Sequence, residues 1–129
     1  MAIKLEQLLD LSNLELNIKL ATVIGRYKGV VGHWAPDSVK LADPEMGFLY
    51  SEVNFTKDMG ETLTLVCQAG LNIINISSGS IPDYTVTDGY WYHGNMIADD
   101  TFEVNNEQSL NRRIVMALII KLENSNETL

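Results

Sequence analysis

One cysteine, Cys67, leaves no partner for an intrachain disulfide. Only three prolines are present, and no apolar run reaches the roughly 20 residues that a membrane span needs. Basic residues are also scarce. Nine Lys and Arg stand against 17 Asp and Glu, for a net charge of −8. That sign argues against holding a nucleic-acid backbone, whose affinity comes from cations on phosphates. It suits solubility, or an acidic face that meets a basic partner. Lys4 and Glu6 break the apolar residues at the start, which speaks against a secretory signal, so a cytoplasmic protein is expected.

Catalytic motifs are missing too. There is no Walker or Rossmann glycine loop, no Gly-x-Ser-x-Gly elbow and no His-Glu-x-x-His. The two histidines, His33 and His93, with Asp99 or Asp100, offer the only zinc-like or manganese-like set, but at no recognised spacing. Asp83, Asp88, Asp99, Asp100 and Glu103 crowd one stretch. Hydrolytic chemistry needs two of them to converge in a pocket. As turn and rim residues they need no such role. Cys67 stands among Leu63, Leu65 and Val66 and reads as a small core residue. The expectation is a protein without catalytic residues, metal or cofactor.

What remains is 129 residues, 46% hydrophobic, enough for one domain with its own core. The strongest pattern is at 106–123. Leu110, Ile114, Leu118 and Leu122 recur every four residues with Val115 beside them, the stripe of an amphipathic helix. Asn105 or Asn106 suits its N-cap. Met116, Ile119 and Ile120 fall on the far side. A helix apolar on two sides is either sandwiched between layers or docked on another subunit. The second alternative gives the expectation of a homo-oligomer, a dimer or higher, through those three residues.

Earlier in the chain, 3–10 reads as a short helical turn within a lead-in of residues 1–11. Ser12-Asn13-Leu14-Glu15 is a capping box, which predicts a helix over 13–24 that Gly25 ends. Residues 26–50 show no firm pattern beyond a weak strand at Tyr27–Trp34, which fits either a long loop of the kind that often carries function or a disordered excursion. Thr56 is the expected cap of a second helix that runs to Gly70. Leu71–Ile76 reads as a strand. Tyr84–Thr87, Asp88-Gly89 and Tyr90–His93 have the grammar of a type I′ hairpin. Thr101–Val104 suits a short strand, and 124–129 a frayed tail. The sum is a single α+β domain: a small antiparallel sheet of three to four strands packed with three helices in layers.

Three stretches carry a family likeness. Leu14-Glu15-Leu16-Asn17-Ile18-Lys19-Leu20-Ala21, with its Leu-Asn dipeptide, is one. Asn54-Phe55-Thr56-Lys57-Asp58-Met59, continued by Gly70-Leu71-Asn72-Ile73, is the second. Ser109-Leu110-Asn111-Arg112-Arg113-Ile114-Val115-Met116-Ala117-Leu118 is the third. They resemble the opening helix, the middle helix with its strand, and the last helix of the NinX-type small proteins of lambdoid phages. That group belongs to the wider phage ABA sandwich domain. The chain departs from it in the Tyr90–His93 run and the serine-rich stretch at 77–80. The resemblance implies a phage or prophage accessory protein of α+β fold, working in the host cytoplasm, and implies no reaction.

For binding, Tyr84, Tyr90, Trp91, Tyr92 and His93 are the candidates, since aromatic faces stack on nucleobases. Arg112 and Arg113 can hold a phosphate bidentately. The same aromatics serve equally as cross-strand sheet pairs. Three readings follow. The first is a phage accessory protein that sequesters a small, cyclic nucleotide signal and so counters host defence. The second is an acidic inhibitor of a host defence protein or nuclease. The third is a small nucleotide hydrolase using the carboxylates at 99–103.

Overall fold

The computed structural model describes residues 5–75, 79, 84–88, 91–92, 95–96, 103–104 and 110–125. It is an α+β fold. In chain order it runs α1 (Asn13–Val23), β1 (Tyr27–Val31), β2 (Val39–Ala42), β3 (Leu49–Val53) and α2 (Met59–Ala69). Then come β4 (Leu71–Asn75), β5 (Tyr84–Asp88), β6 (Trp91–Tyr92), β7 (Asn95–Met96), β8 (Glu103–Val104) and α3 (Leu110–Ser125). A 3-10 turn at Leu5–Gln7 precedes α1.

The strands form two three-stranded antiparallel sheets, β1-β2-β3 and β4-β5-β8, and a two-stranded pair, β6-β7. Helix α3 packs against α1, α2, β5 and β8, while α1 packs in turn against β1 and β2. The last helix is therefore the middle layer. Ile114 through Ile119 are wholly buried, and Ile120 and Leu122 nearly so. The two apolar flanks read from the sequence are real, and the sandwiched alternative is the one realised.

That outcome corrects the surface expected for an oligomer. Met116 and Ile119 are 0% exposed and Ile120 is 7% exposed within a single chain. They join one cluster with Leu16, Leu20, Phe55, Val66 and Val86. A companion molecule cannot reach them without unfolding the domain.

Local signals at the ends of α1 and α2 hold with one exception. Ser12 caps α1, accepting a hydrogen bond at Oγ from Glu15 N (3.1 Å), and Glu15 Oε1 accepts from Ser12 N (3.1 Å). Gly25 and Gly70, both left-handed, follow the ends of α1 and α2. The exception is α2, capped by Asp58 rather than Thr56. Thr56 is drawn into a buried hydrogen-bond network instead, and a turn through Asn54–Lys57 delays the helix.

Among the described residues β5 and β6, the two arms of the expected Asp88-Gly89 hairpin, are not paired with each other. β5 lies between β4 and β8, with Ile73 opposite Val86 and Leu71 opposite Asp88, while β6 pairs with β7. One edge of β5 is taken by β4 over five consecutive pairs and the other by β8 at Val86 and Thr87, in place of β6. The illegible stretch 26–50 is also ordered, forming β1, β2 and the first half of β3. The strand expected over 27–34 ends at Val31, and Glu103–Val104 is the strand expected near 101–104. The lead-in contributes Leu8, fully buried, to the core. Helix α3 continues to Ser125, beyond the expected start of the frayed tail. The proposed cap at Asn105 or Asn106 lies outside the described residues.

Candidate functional site

The site begins at the connection between β1 and β2, residues 32–38. Gly32 N donates to Ser38 O (2.8 Å), which closes the loop base. The approach is so tight that a Cβ at Gly32 would lie 1.7 Å from Ser38 Oγ, so no side chain fits there. The loop tip then wraps around one carboxylate, that of Glu52 on β3. Glu52 Oε1 accepts from His33 N (2.7 Å), and Oε2 accepts from Trp34 N (3.1 Å). Ser38 Oγ lies 2.8 Å from Ala35 O and 3.2 Å from Glu52 Oε2, sharing its single proton between them. Successive backbone N–H groups thus form a small anion nest, filled by the protein's own side chain. The hydrogen bond from His33 N, with smaller help from Trp34 N, Ser38 and Ala35 N, holds the Glu52 carboxyl below the ordinary range against a desolvation penalty that pushes it up.

The consequence of this anchoring is the placement of Trp34. Its indole is 91% exposed although its own backbone is fixed. It walls a groove of about 540 Å³ that opens along β2 and β3, lined also by Ala35, Lys40, Leu49, Ser51 and Glu52. Lys40 stands opposite Glu52 in the strand register, so a cation and an indole border one concavity.

The other side of the loop is tied to α1. Asn17 is completely buried, yet every polar atom of its side chain is engaged. Nδ2 donates to Asp37 O (2.7 Å) and to Asn54 Oδ1 (2.8 Å), and Oδ1 accepts from Thr56 N (3.1 Å). Asn54 Nδ2 donates to Pro36 O (3.1 Å), and Thr56 Oγ1 donates to Asn54 Oδ1 (2.7 Å). Asp37 takes φ +60°, the left-handed region, which lets its carbonyl turn toward Asn17. A second, smaller hollow of about 370 Å³ borders this knot, lined by Asn13, Pro36, Asp37, Asn54, Thr56 and Lys57. The two halves of the Leu-Asn dipeptide in α1 therefore divide the work, with Leu16 in the core and Asn17 as the clamp that holds the loop.

The residues expected to bind phosphate play other parts. Arg112 Nη2 donates to Leu11 O (2.8 Å) and Nη1 to Asn13 Oδ1, which fastens α3 to the start of α1. Arg113 is buried and donates from Nη1 to Tyr84 O, which fastens α3 to the start of β5. The two guanidinium groups thus serve separate elements. Tyr84 accepts this bond at its backbone carbonyl. Trp91 and Tyr92 lie in β6, opposite Met96 and Asn95, and Tyr90 and His93 lie outside the described residues.

His33 contributes its backbone N–H to the nest, and its suggested metal partners His93, Asp99 and Asp100 lie outside the described residues. Among the described residues no three His, Cys, Asp or Glu side chains cluster as metal ligands. Asp83 too is outside, while Asp88 and Glu103 are placed on neighbouring strands β5 and β8. Cys67, expected in the core, is exposed on α2; the buried face of that helix is Thr62, Leu65, Val66 and Ala69.

Sequence reasoning missed Trp34, Lys40 and Glu52. One signal was present: a tryptophan flanked by Gly32 and Pro36 stands where neither a strand nor a helix readily continues, and so on a loop rather than in a core stripe. No family model matches the chain, and neither a curated protein nor a solved structure does. No helix among the described residues is long and apolar enough to cross a membrane.

Proposed function

We propose that the protein is a non-catalytic binding protein whose working surface is the Trp34 groove, and that its ligand is a small planar anion of the nucleotide class. The observation that supports this most is the indole of Trp34, held out on a loop whose backbone is fixed. An exposed aromatic surface of this size is costly to maintain unless something covers it. A base stacked on an indole gains about 1–3 kcal/mol. Lys40 offers an ammonium group to a phosphate at the same concavity. The Glu52 charge is offset by the N–H groups around it, which lessens its repulsion of an anion. The phage-type resemblance supplies the purpose: an accessory protein in the host cytoplasm that sequesters a cyclic nucleotide signal of host defence. The ligand site is thereby moved from the Tyr84–His93 run and the Arg112–Arg113 pair to the first sheet.

The test is a titration against a panel of linear and cyclic mono- and dinucleotides, by calorimetry and by Trp34 emission in a Trp91→Phe background. Binding with quenching is expected, weakened at least about tenfold, near 1.4 kcal/mol, by Trp34→Ala and by Lys40→Ala. A panel that gives neither heat nor quenching ends the proposal.

A second reading draws on the apolar residues around the groove. Val31, Met46, Phe48 and Leu49 are also exposed, and on a protein of net charge −8 they would suit a basic protein partner. This is the acidic inhibitor of a host defence protein or nuclease. It expects a stoichiometric partner from host lysate that Trp34→Ala releases; a lysate that yields none at low salt removes it.

A further inference from the structure

The first sheet has an open edge, and the geometry points to a second copy of this chain as its occupant. We propose that two chains pair antiparallel along β3, joining two three-stranded sheets into one of six strands.

The edge follows from the hydrogen bonding of β2. Gly32 N donates to Ser38 O and Ala42 N donates to Arg26 O, so even-numbered residues of β2 turn their backbone groups toward β1. Lys40 is among them. Glu52, opposite Lys40, therefore turns its own N–H and C=O away from β2, toward the outer side of β3. Among the described residues no strand pairs there. The outer side of β1 is less suitable. Its register with β2 shifts between Tyr27 and Val31, Gly29 sits at φ +81°, and α1 packs against the strand, whereas the register shift of β3 falls near its Leu49 end and leaves Ser51–Val53 regularly paired with β2.

The choice of a second copy rests on self-complementarity. Trp34 stands at the Val53 end of β3, because its N–H is bound to Glu52 and Val39 opposes Val53. Phe48 and Leu49 stand at the other end and are exposed. Leu49 lines the same groove as Trp34. A two-fold axis across β3 reverses the strand, so each Trp34 meets Phe48 and Leu49 of the second copy. Charge agrees: the exposed Glu45 in the β2–β3 turn is carried to the end where Lys40 of the other copy lies. The exposed parts of Trp34, Met46, Phe48 and Leu49 from two copies, with two strand edges, offer up to roughly 1,200 Å² for burial, the lower end of stable interfaces. The homo-oligomer expected from the sequence thus returns on a different surface. Pairing also closes each open groove with apolar residues of the second copy, a consequence that rests on the ligand proposal above; the pairing itself does not.

Sedimentation equilibrium from micromolar to millimolar chain, together with amide exchange at Glu52, tests it. The expected result is a doubled mass and slowed exchange at Glu52 as concentration rises. Trp34→Ala and Phe48→Lys change exposed side chains and leave the fold intact. Each is expected to weaken dimerisation at least tenfold. A monomer at millimolar concentration overturns the proposal, as does a dimer whose mass ignores both variants and whose Glu52 amide exchanges at a constant rate. A monomer that binds a foreign protein through Trp34 also overturns it. A dimer that binds no nucleotide leaves the pairing standing and removes only the ligand; a nucleotide bound by a monomer does the reverse.

Discussion

Helix α3 and the loop at residues 32–38 are opposites in what they do with large apolar side chains. The helix hides every one from Ile114 to Ile119, and its two arginines serve as fasteners to neighbouring elements. The loop holds Trp34 in water, and its polar anchors, Glu52, Asn17 and Asn54, all come from other parts of the chain. The difference separates stability from recognition. In the helix, side chains carry the packing. In the loop, backbone groups carry the structure and leave the side chain available.

The largest test of this contrast is Ile119→Ala. Ile119 is fully buried at the centre of the layers, so truncation is expected to cost about 3–4 kcal/mol in urea unfolding. A loss below about 1 kcal/mol would show that the helix is not packed as described. Next comes Asn17→Ala, which strikes the seam between helix core and loop. It leaves Thr56 N and Asp37 O without their partner, at a cost of about 2–3 kcal/mol. It should also free the loop, seen as lower anisotropy of Trp34 emission. Equal anisotropy in the variant and the parent would mean that the Glu52 nest alone fixes the loop.

Acid sharpens the comparison further. The Glu52 carboxyl is lowered in the folded chain, first by the His33 N–H. Its contribution is therefore fully present above the unfolded value of about 4.3 and is lost as pH falls through the lowered folded value. The Trp34 signal should change in that window before the far-ultraviolet signal of the helices does. Coincident transitions would contradict the separate anchoring. Glu52→Gln should weaken the pH response at neutral-to-acid pH and loosen the loop at all pH values. The smallest effect is expected from Trp34→Ala. Truncating an indole that is 91% exposed should move chain stability by no more than about 0.5 kcal/mol, while both binding readouts fall. In a dimer this figure applies to the dissociated chain.

The sequence was legible where structure is decided locally. The Ser12–Glu15 capping box, the Gly70 stop and the four-residue stripe of α3 each follow from neighbours in the chain. It misled where distant residues compete. β5 pairs with β4 and β8 rather than with β6, and the cap of α2 passes from Thr56 to Asp58, because Thr56 N is bound by Asn17, 39 residues away, and Thr56 Oγ1 by Asn54. The first sheet was opaque because β1 and β3 alternate poorly between apolar and polar residues, and Val31 and Leu49 on them are exposed. The candidate site was hidden for a related reason. Its scaffold is made of backbone N–H groups and one carboxylate 18 residues from the tryptophan, and no periodicity records such a pairing.

The position of α3 in chain order also bears on how the protein is made. During synthesis, α1, α2 and both sheets leave the ribosome before the helix that fills the space among them. Until that helix follows, the nascent chain shows Leu16, Leu20, Val66 and Val86 to any chaperone or neighbouring polysome, and a messenger cut short before Leu110 codes for a sticky fragment rather than a smaller working protein.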